Sequence, residues 1–169
     1  IVEKSSENKS NEAGDEARYS IVNVNASRKA VVIKDNILDG VNRNNYTKVV
    51  KETLKKFSAG LPVGNRLIKV NKITRDEYTN SKNAQYYRGV NQTIYADKMK
   101  ASGHLDEIVL ASDSYVNEGL KHTRNDNFKE FARGNVLLDI AGNQYAAKVI
   151  VGFTGSNMVL YDVVDFKPI

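Results

Sequence analysis

The chain has 169 residues, 41% of them hydrophobic, with no cysteine and a formal net charge of +5. That is enough apolar material for the core of one domain, and it excludes disulfide frameworks, thiolate zinc sites and cysteine nucleophiles. No apolar run approaches the ~20 residues that span a bilayer, so no membrane segment is expected.

The start at Ile1 reads as a fragment or processed product. Residues 1–16 are polar, charged and aperiodic, and cannot bury enough apolar surface to offset the entropy of ordering. They read as a flexible linker or tail, leaving 17–169 as the folded domain with its core over about 43–166. Arg18–Asn23 and Lys29–Ile33 are short β-branched runs around Asn25-Ala26-Ser27, the pattern of a hairpin that precedes the main body.

Tyr46, Val49, Val50, Leu54 and Phe57 fall at helical spacing, with Lys48, Lys51, Lys55 and Lys56 between them. Asn44 or Asn45 can cap this helix, and Gly60 and Pro62 end it. Arg66–Val70 reads as a strand. Thr74 and Glu77 have capping-box spacing, but the polar stretch Tyr78–Gly89 reads as a loop. Thr93 can cap a helix through Met99, bent at Ser102-Gly103. Leu105, Ile108, Val109, Ser112 and Val116 continue at helical spacing. Tyr115–Arg133 is weakly periodic. Val136–Ile140, Tyr145–Phe153 and Met158–Phe166 then form a β-meander, joined by Ala141-Gly142-Asn143 and Gly155-Ser156-Asn157. With strand 66–70 as a fourth member, the expectation is an α+β fold with helices packed on one face of a four-stranded antiparallel sheet.

Charge is unevenly spread. Residues 43–100 hold thirteen Lys/Arg against four Asp/Glu, while the flanking segments are near balance or acidic. An acidic partner is the natural functional reading, nucleic acid being the commonest, and a solvated lysine-rich helix face is the bland one.

No phosphate-binding glycine loop, HExxH, GxSxG or dinucleotide fingerprint is present. There are two histidines, His104 and His122, so a multi-histidine metal site is excluded. His122 lies in Leu120-Lys121-His122-Thr123-Arg124-Asn125-Asp126, which joins an imidazole, a hydroxyl and two cations just before the meander. Metal-independent RNA cleavage needs such a set: a base for the 2′-OH, an acid for the leaving 5′-oxygen and cations for the charge on phosphorus. Arg124 can hold a phosphate bidentately. Thr154, Tyr145 and Tyr161 lie on the meander, where strands hold side chains rigidly. Aromatics among cations, such as Tyr86-Tyr87, can stack on bases.

The order and spacing of Arg75–Ser81, Tyr95–Ala101, Leu105–Ile108, His122–Asp126, Tyr145–Ala147 and Leu160–Val163 resemble the C-terminal domains of phage MuF-type and large polyvalent proteins. Those are grouped with the barnase/EndoU/colicin/RelE-like (BECR) nucleases. The resemblance covers roughly residues 18–166. It implies a helical part on a four-stranded antiparallel sheet, RNA bound on the exposed sheet face and metal-independent transesterification, often of tRNA, with an immunity protein as partner. Under it His122 is base or acid, Arg124 stabilises phosphate, and Thr154 or Tyr161 supplies a hydroxyl. Lys98, Lys121, Tyr145 and His104 are candidate substrate contacts, and no cofactor or metal is expected. EndoU-type enzymes use two His and a Lys, but the two histidines here lack the glycine-rich surroundings of that branch. The functional expectation is an RNase toxin, phage-delivered or secreted and acting in a bacterial cytoplasm. The alternative is a non-enzymatic phage or mobile-element module binding nucleic acid or protein. An ADP-ribosyltransferase ranks third, because residues 136–166 carry Asp but no Glu.

Overall fold

The structure is a computed structural model, and it describes residues 19–21, 29–119 and 128–169. Residues 1–16, half of the hairpin's first arm with its turn, and Lys121, His122 and Arg124 lie outside the described residues.

In the first helix, α1 (Tyr46–Leu54), Val50 and Leu54 are buried, and a 3-10 turn carries the chain on to a buried Phe57. Its entry is capped one turn earlier than expected. Asn42 accepts from the Asn44 amide, while Asn45 makes no side-chain cap.

The stretch Tyr78–Gly89, expected as a loop, is helical. Three short helices follow one another, α2 (Lys72–Asn80), α3 (Lys82–Val90) and α4 (Gln92–Ala101). Each has its own side-chain cap. Asn71 accepts from the Ile73 and Thr74 amides, and the Thr74 hydroxyl returns to Asn71 as a capping box. Ser81 accepts from Ala84, and Asn91, rather than Thr93, accepts from Ile94. A cap every ten residues lets helices of nine or ten residues form, because each cap satisfies amides that would otherwise lack partners. Helix α5 (Leu105–Ala111) ends before Ser112, and Val116 belongs to a strand.

The expected four-stranded antiparallel sheet is overturned. Among the described residues the sheet has eight strands, is mixed, and curls strongly into a half-barrel. Its path runs β1 (Tyr19–Ile21), β2 (Lys29–Ile33), β6 (Glu130–Ile140), β7 (Asn143–Thr154), β8 (Asn157–Pro168), β4 (Arg66–Lys69) and β3 (Leu61–Val63). Strand β5 (Asp113–Gly119) pairs with the first half of β6, on the edge whose second half takes β2. Strands β2 and β4 join in parallel to β6 and β8, so the expected hairpin strand Lys29–Ile33 is an integral part of the sheet. The meander β6–β8 forms as expected, with longer strands. Its first turn has positive φ at Ala141 and Gly142, the I′ pattern, and its second has positive φ at Gly155, as a II′ turn requires.

The inner face of the meander (Val136, Leu138, Ile140, Tyr145, Val149, Val151, Leu160, Val163) meets α1–α5 in one core with Leu54, Tyr78, Met99, Leu105 and Ile108. Each fully buried side chain of this size contributes roughly 1.5–3 kcal/mol against exposure. Among the described residues, no helix is long and apolar enough to cross a membrane.

Candidate nucleic-acid interface

The segment that carries His122 and Arg124 connects β5 to β6, and both of its stems are described. On one side Gly119 pairs with Phe131. On the other, Phe128 is 1% exposed and stacks with Phe131 and Tyr161, at ring-centroid distances of 5.1 and 5.4 Å, while Phe131 lies 4.9 Å from Tyr161. This cluster sits on the sheet face opposite the main core, with Val159, Ile150 and Ile73. Gly152 lies beneath Phe128 so closely that a Cβ would collide with the ring.

A bulge decides the direction of Tyr161. Strand β8 pairs Leu160 with Val151 and Asp162 with Ile150, leaving Tyr161 as the extra residue. Leu160 and Val163 thus face the core and Tyr161 faces the outer cluster. Bulges commonly re-aim a side chain in this way. Thr154 ends β7 beside Phe153, whose carbonyl accepts from the Lys129 amide at 2.7 Å. Two sheet candidates, Tyr161 and Thr154, therefore lie at the same end of the meander as the stems of the 120–127 segment.

The outer face continues as a polar row. Arg133 donates to Glu118 at 3.1 Å and reaches Asp165 at 3.0 Å, and Lys148 donates to Asn135. These residues escape a reading of the sequence that starts the β6 alternation at Val136. Extending the period-2 alternation back to Glu130 puts Arg133 and Asn135 outward between inward Ala132, Gly134 and Val136. The same extension adds Glu130 to the strands of the meander.

Three expected substrate contacts have other roles. Lys98 is fully buried in an ion pair with Asp162, so it has no access to a ligand. Tyr145 is 2% exposed and donates to Asp97 at 2.5 Å, and burial together with that bond pushes its phenol well above the ordinary tyrosine range. His104 has both ring nitrogens engaged, Nε2 with Asp35 at 2.6 Å and Nδ1 with Glu107 at 3.1 Å, tying α5 to the residues after β2. Among the described residues no His, Asp and Glu side chains group as a metal site.

The cations of the basic middle gather elsewhere. Lys48 and Lys51 of α1, Lys55 of the 3-10 turn after it, and Lys72 and Arg75 of α2 line an open groove of about 560 Å³, with Asn44, Thr47, Glu52 and Asp76. Asp76 bridges the two helices, to Lys72 at 2.6 Å and to Lys51 at 3.2 Å, and these bonds hold its carboxyl below the usual range. Ile73, next to Lys72 in the chain, packs against the outer-face aromatic cluster instead of lining the groove.

Compared with protein-family models, curated proteins and solved structures, the chain matches none.

Proposed function

We propose that the chain is a metal-independent ribonuclease acting at the outer-face end of the β6–β8 meander. The observation that carries this reading is the convergence there of the stems of the 120–127 segment, Tyr161 and Thr154. The motif resemblance to MuF-type and polyvalent-protein domains supports it. The four-stranded sheet implied by that resemblance does not, and the reading rests on the segment and its surroundings.

In the proposed reaction His122 takes the proton of a 2′-OH. The 2′-oxygen attacks the adjacent phosphorus, the bond to the 5′-oxygen breaks, and that oxygen leaves with a proton taken from water, giving a 2′,3′-cyclic phosphate, while His122 returns its proton to solvent. Arg124 offsets charge on the phosphoryl oxygens. Tyr161 or Thr154 supplies an orienting hydroxyl, and Phe128 and Phe131 keep Tyr161 in place. Transfer RNA as substrate, an immunity protein as partner and action in a bacterial cytoplasm after delivery complete the proposal.

The test is incubation with total bacterial RNA in excess EDTA, beside His122→Ala, on a denaturing gel. Wild-type fragments ending in cyclic phosphate and absent with the variant are the expected result. Intact RNA with both proteins would replace the proposal with a nucleic-acid-binding module, a reading favoured by the cationic groove between α1 and α2. Equal cleavage by both would remove His122 from the site.

A further inference from the structure

We propose that the groove between α1 and α2 is a binding track for the phosphate backbone of a single nucleic-acid strand, separate from the site of cleavage and independent of it. Five cations and two carboxylates line the groove. Lys48, Lys51 and Lys55 follow one another at helical spacing over roughly 10 Å along α1 and the turn that follows it, at about 1.5 Å rise per residue. Lys72 and Arg75 face them from α2.

Two features point to an anion as occupant. Helix N-termini carry partial positive charge and favour carboxylates in their first turns. Neither α1 nor α2 has one, and Lys48 and Lys72 occupy those turns instead. In isolation that arrangement is unfavourable, and it becomes favourable when phosphate sits between the two helix starts. Lys48 and Arg75 also make no ion pair among the described residues, in contrast to Lys51, Lys55 and Lys72.

The lining distinguishes nucleic acid from an acidic protein. All nine lining residues are polar or charged. Protein partners anchor on buried apolar or aromatic side chains, and the groove offers none. Phosphate oxygens need cations with amide and hydroxyl donors, which Asn44 and Thr47 provide. Ile73, between the lining residues Lys72 and Arg75 in the chain, packs against the Phe128–Phe131 cluster of the outer face.

The probe is a fluorescein-labelled single-stranded DNA oligonucleotide, which has no 2′-OH and is not cut by 2′-oxygen attack. Anisotropy titrations with the full chain over a range of salt should show affinity falling as salt rises. Lys48→Gln combined with Arg75→Gln should weaken binding at least tenfold and lower the slope of log affinity against log salt by roughly 1.4, about 0.7 for each phosphate no longer neutralised. Asp76→Asn, which frees Lys51 and Lys72, should tighten binding. Lys167→Gln, at the far end of β8 from α2, should change neither affinity nor slope. Absence of binding by the wild type, unchanged binding by the double variant, or equal competition by polyglutamate would each overturn the track. Binding that follows this pattern while RNA stays intact would uphold the track and sink the ribonuclease reading.

Discussion

Lys98 and Asp162 meet inside the protein, Nζ to Oδ1 at 2.7 Å, with side chains 0% and 2% exposed. Lys98 also donates to the Val163 carbonyl and lies 4.4 Å from the centroid of Tyr78, whose hydroxyl donates to the Lys98 carbonyl at 2.5 Å. Asp162 accepts from the Val163 amide at 2.8 Å. Burial pushes the ammonium down and the carboxyl up, and their mutual attraction opposes both shifts. The bonds serve the edge of β8, which pairs with β4 only at Met158 and Val159. Beyond that point helix side chains take the place of a strand: Thr74 donates to Leu160, Lys98 donates to Val163, and the Phe166 amide donates to the Tyr87 hydroxyl.

Removing one member of this pair leaves a charge buried without a counterion. Lys98→Met and Asp162→Asn are each expected to cost about 3–5 kcal/mol. The double variant should cost less than the sum of the two. Urea denaturation of the four proteins measures the coupling, and strict additivity would show that the pair does not act as a unit.

Gly152→Ala places a methyl group against the Phe128 ring. Overpacking of this kind costs about 1–3 kcal/mol. Because Phe128 is the near stem of the 120–127 segment, RNA cleavage should fall more steeply than global stability. Thermal melts beside cleavage rates separate the two effects, and unchanged cleavage would detach the stem from the site.

Tyr161→Phe keeps the ring that packs on Phe128 and Phe131 and removes only the hydroxyl. If the hydroxyl takes part in proton transfer, single-turnover cleavage should drop by about 10²-fold or more. The melting temperature should stay within a few degrees. Full activity in this variant would leave Thr154 as the hydroxyl candidate.

Asp76 has a folded-state pKa below its ordinary value because Lys72 and Lys51 bond its carboxylate. Its stabilisation is complete above the unfolded value near 3.8 and is lost as pH falls through the lower folded value. The side chain is 41% exposed, so solvent screening limits the effect to a few tenths of a kcal/mol. Asp76→Asn should flatten the acid limb of melting temperature against pH, and an identical limb would place the acid sensitivity elsewhere.

His104→Gln removes a side chain whose two nitrogens are held by Asp35 and Glu107. Stability should fall by about 1 kcal/mol, the size of an ordinary lost hydrogen bond. The cleavage rate per folded molecule should not change, in contrast with His122→Ala.

Residue order alone made the meander, helix α1 and the α+β class legible. Long period-2 runs with I′ and II′ turn residues, and one helix with five apolar positions on a single stripe, are local patterns that need no partner to be read. The run from Asn71 to Val90 was harder, since its helices depend on Asn71 and Ser81 as caps and carry too few apolar side chains to show a stripe, whereas the helix through Met99 was legible apart from its cap, Asn91 instead of Thr93. The basic character of residues 43–100 was also plain in the chain, but composition could not separate Lys98, buried in the core, from Lys48, open in the groove.

Tertiary structure decided the rest. Pairing of β2 with β6 and of β4 with β8 joins strands far apart in the chain, and nothing local encodes a partner at that distance. The bulge that turns Tyr161 outward and Asp162 inward arises only where β8 meets β7. The convergence of Tyr161, Thr154 and the 120–127 stems follows from that register, because side chains reach a common face only once their strands are aligned.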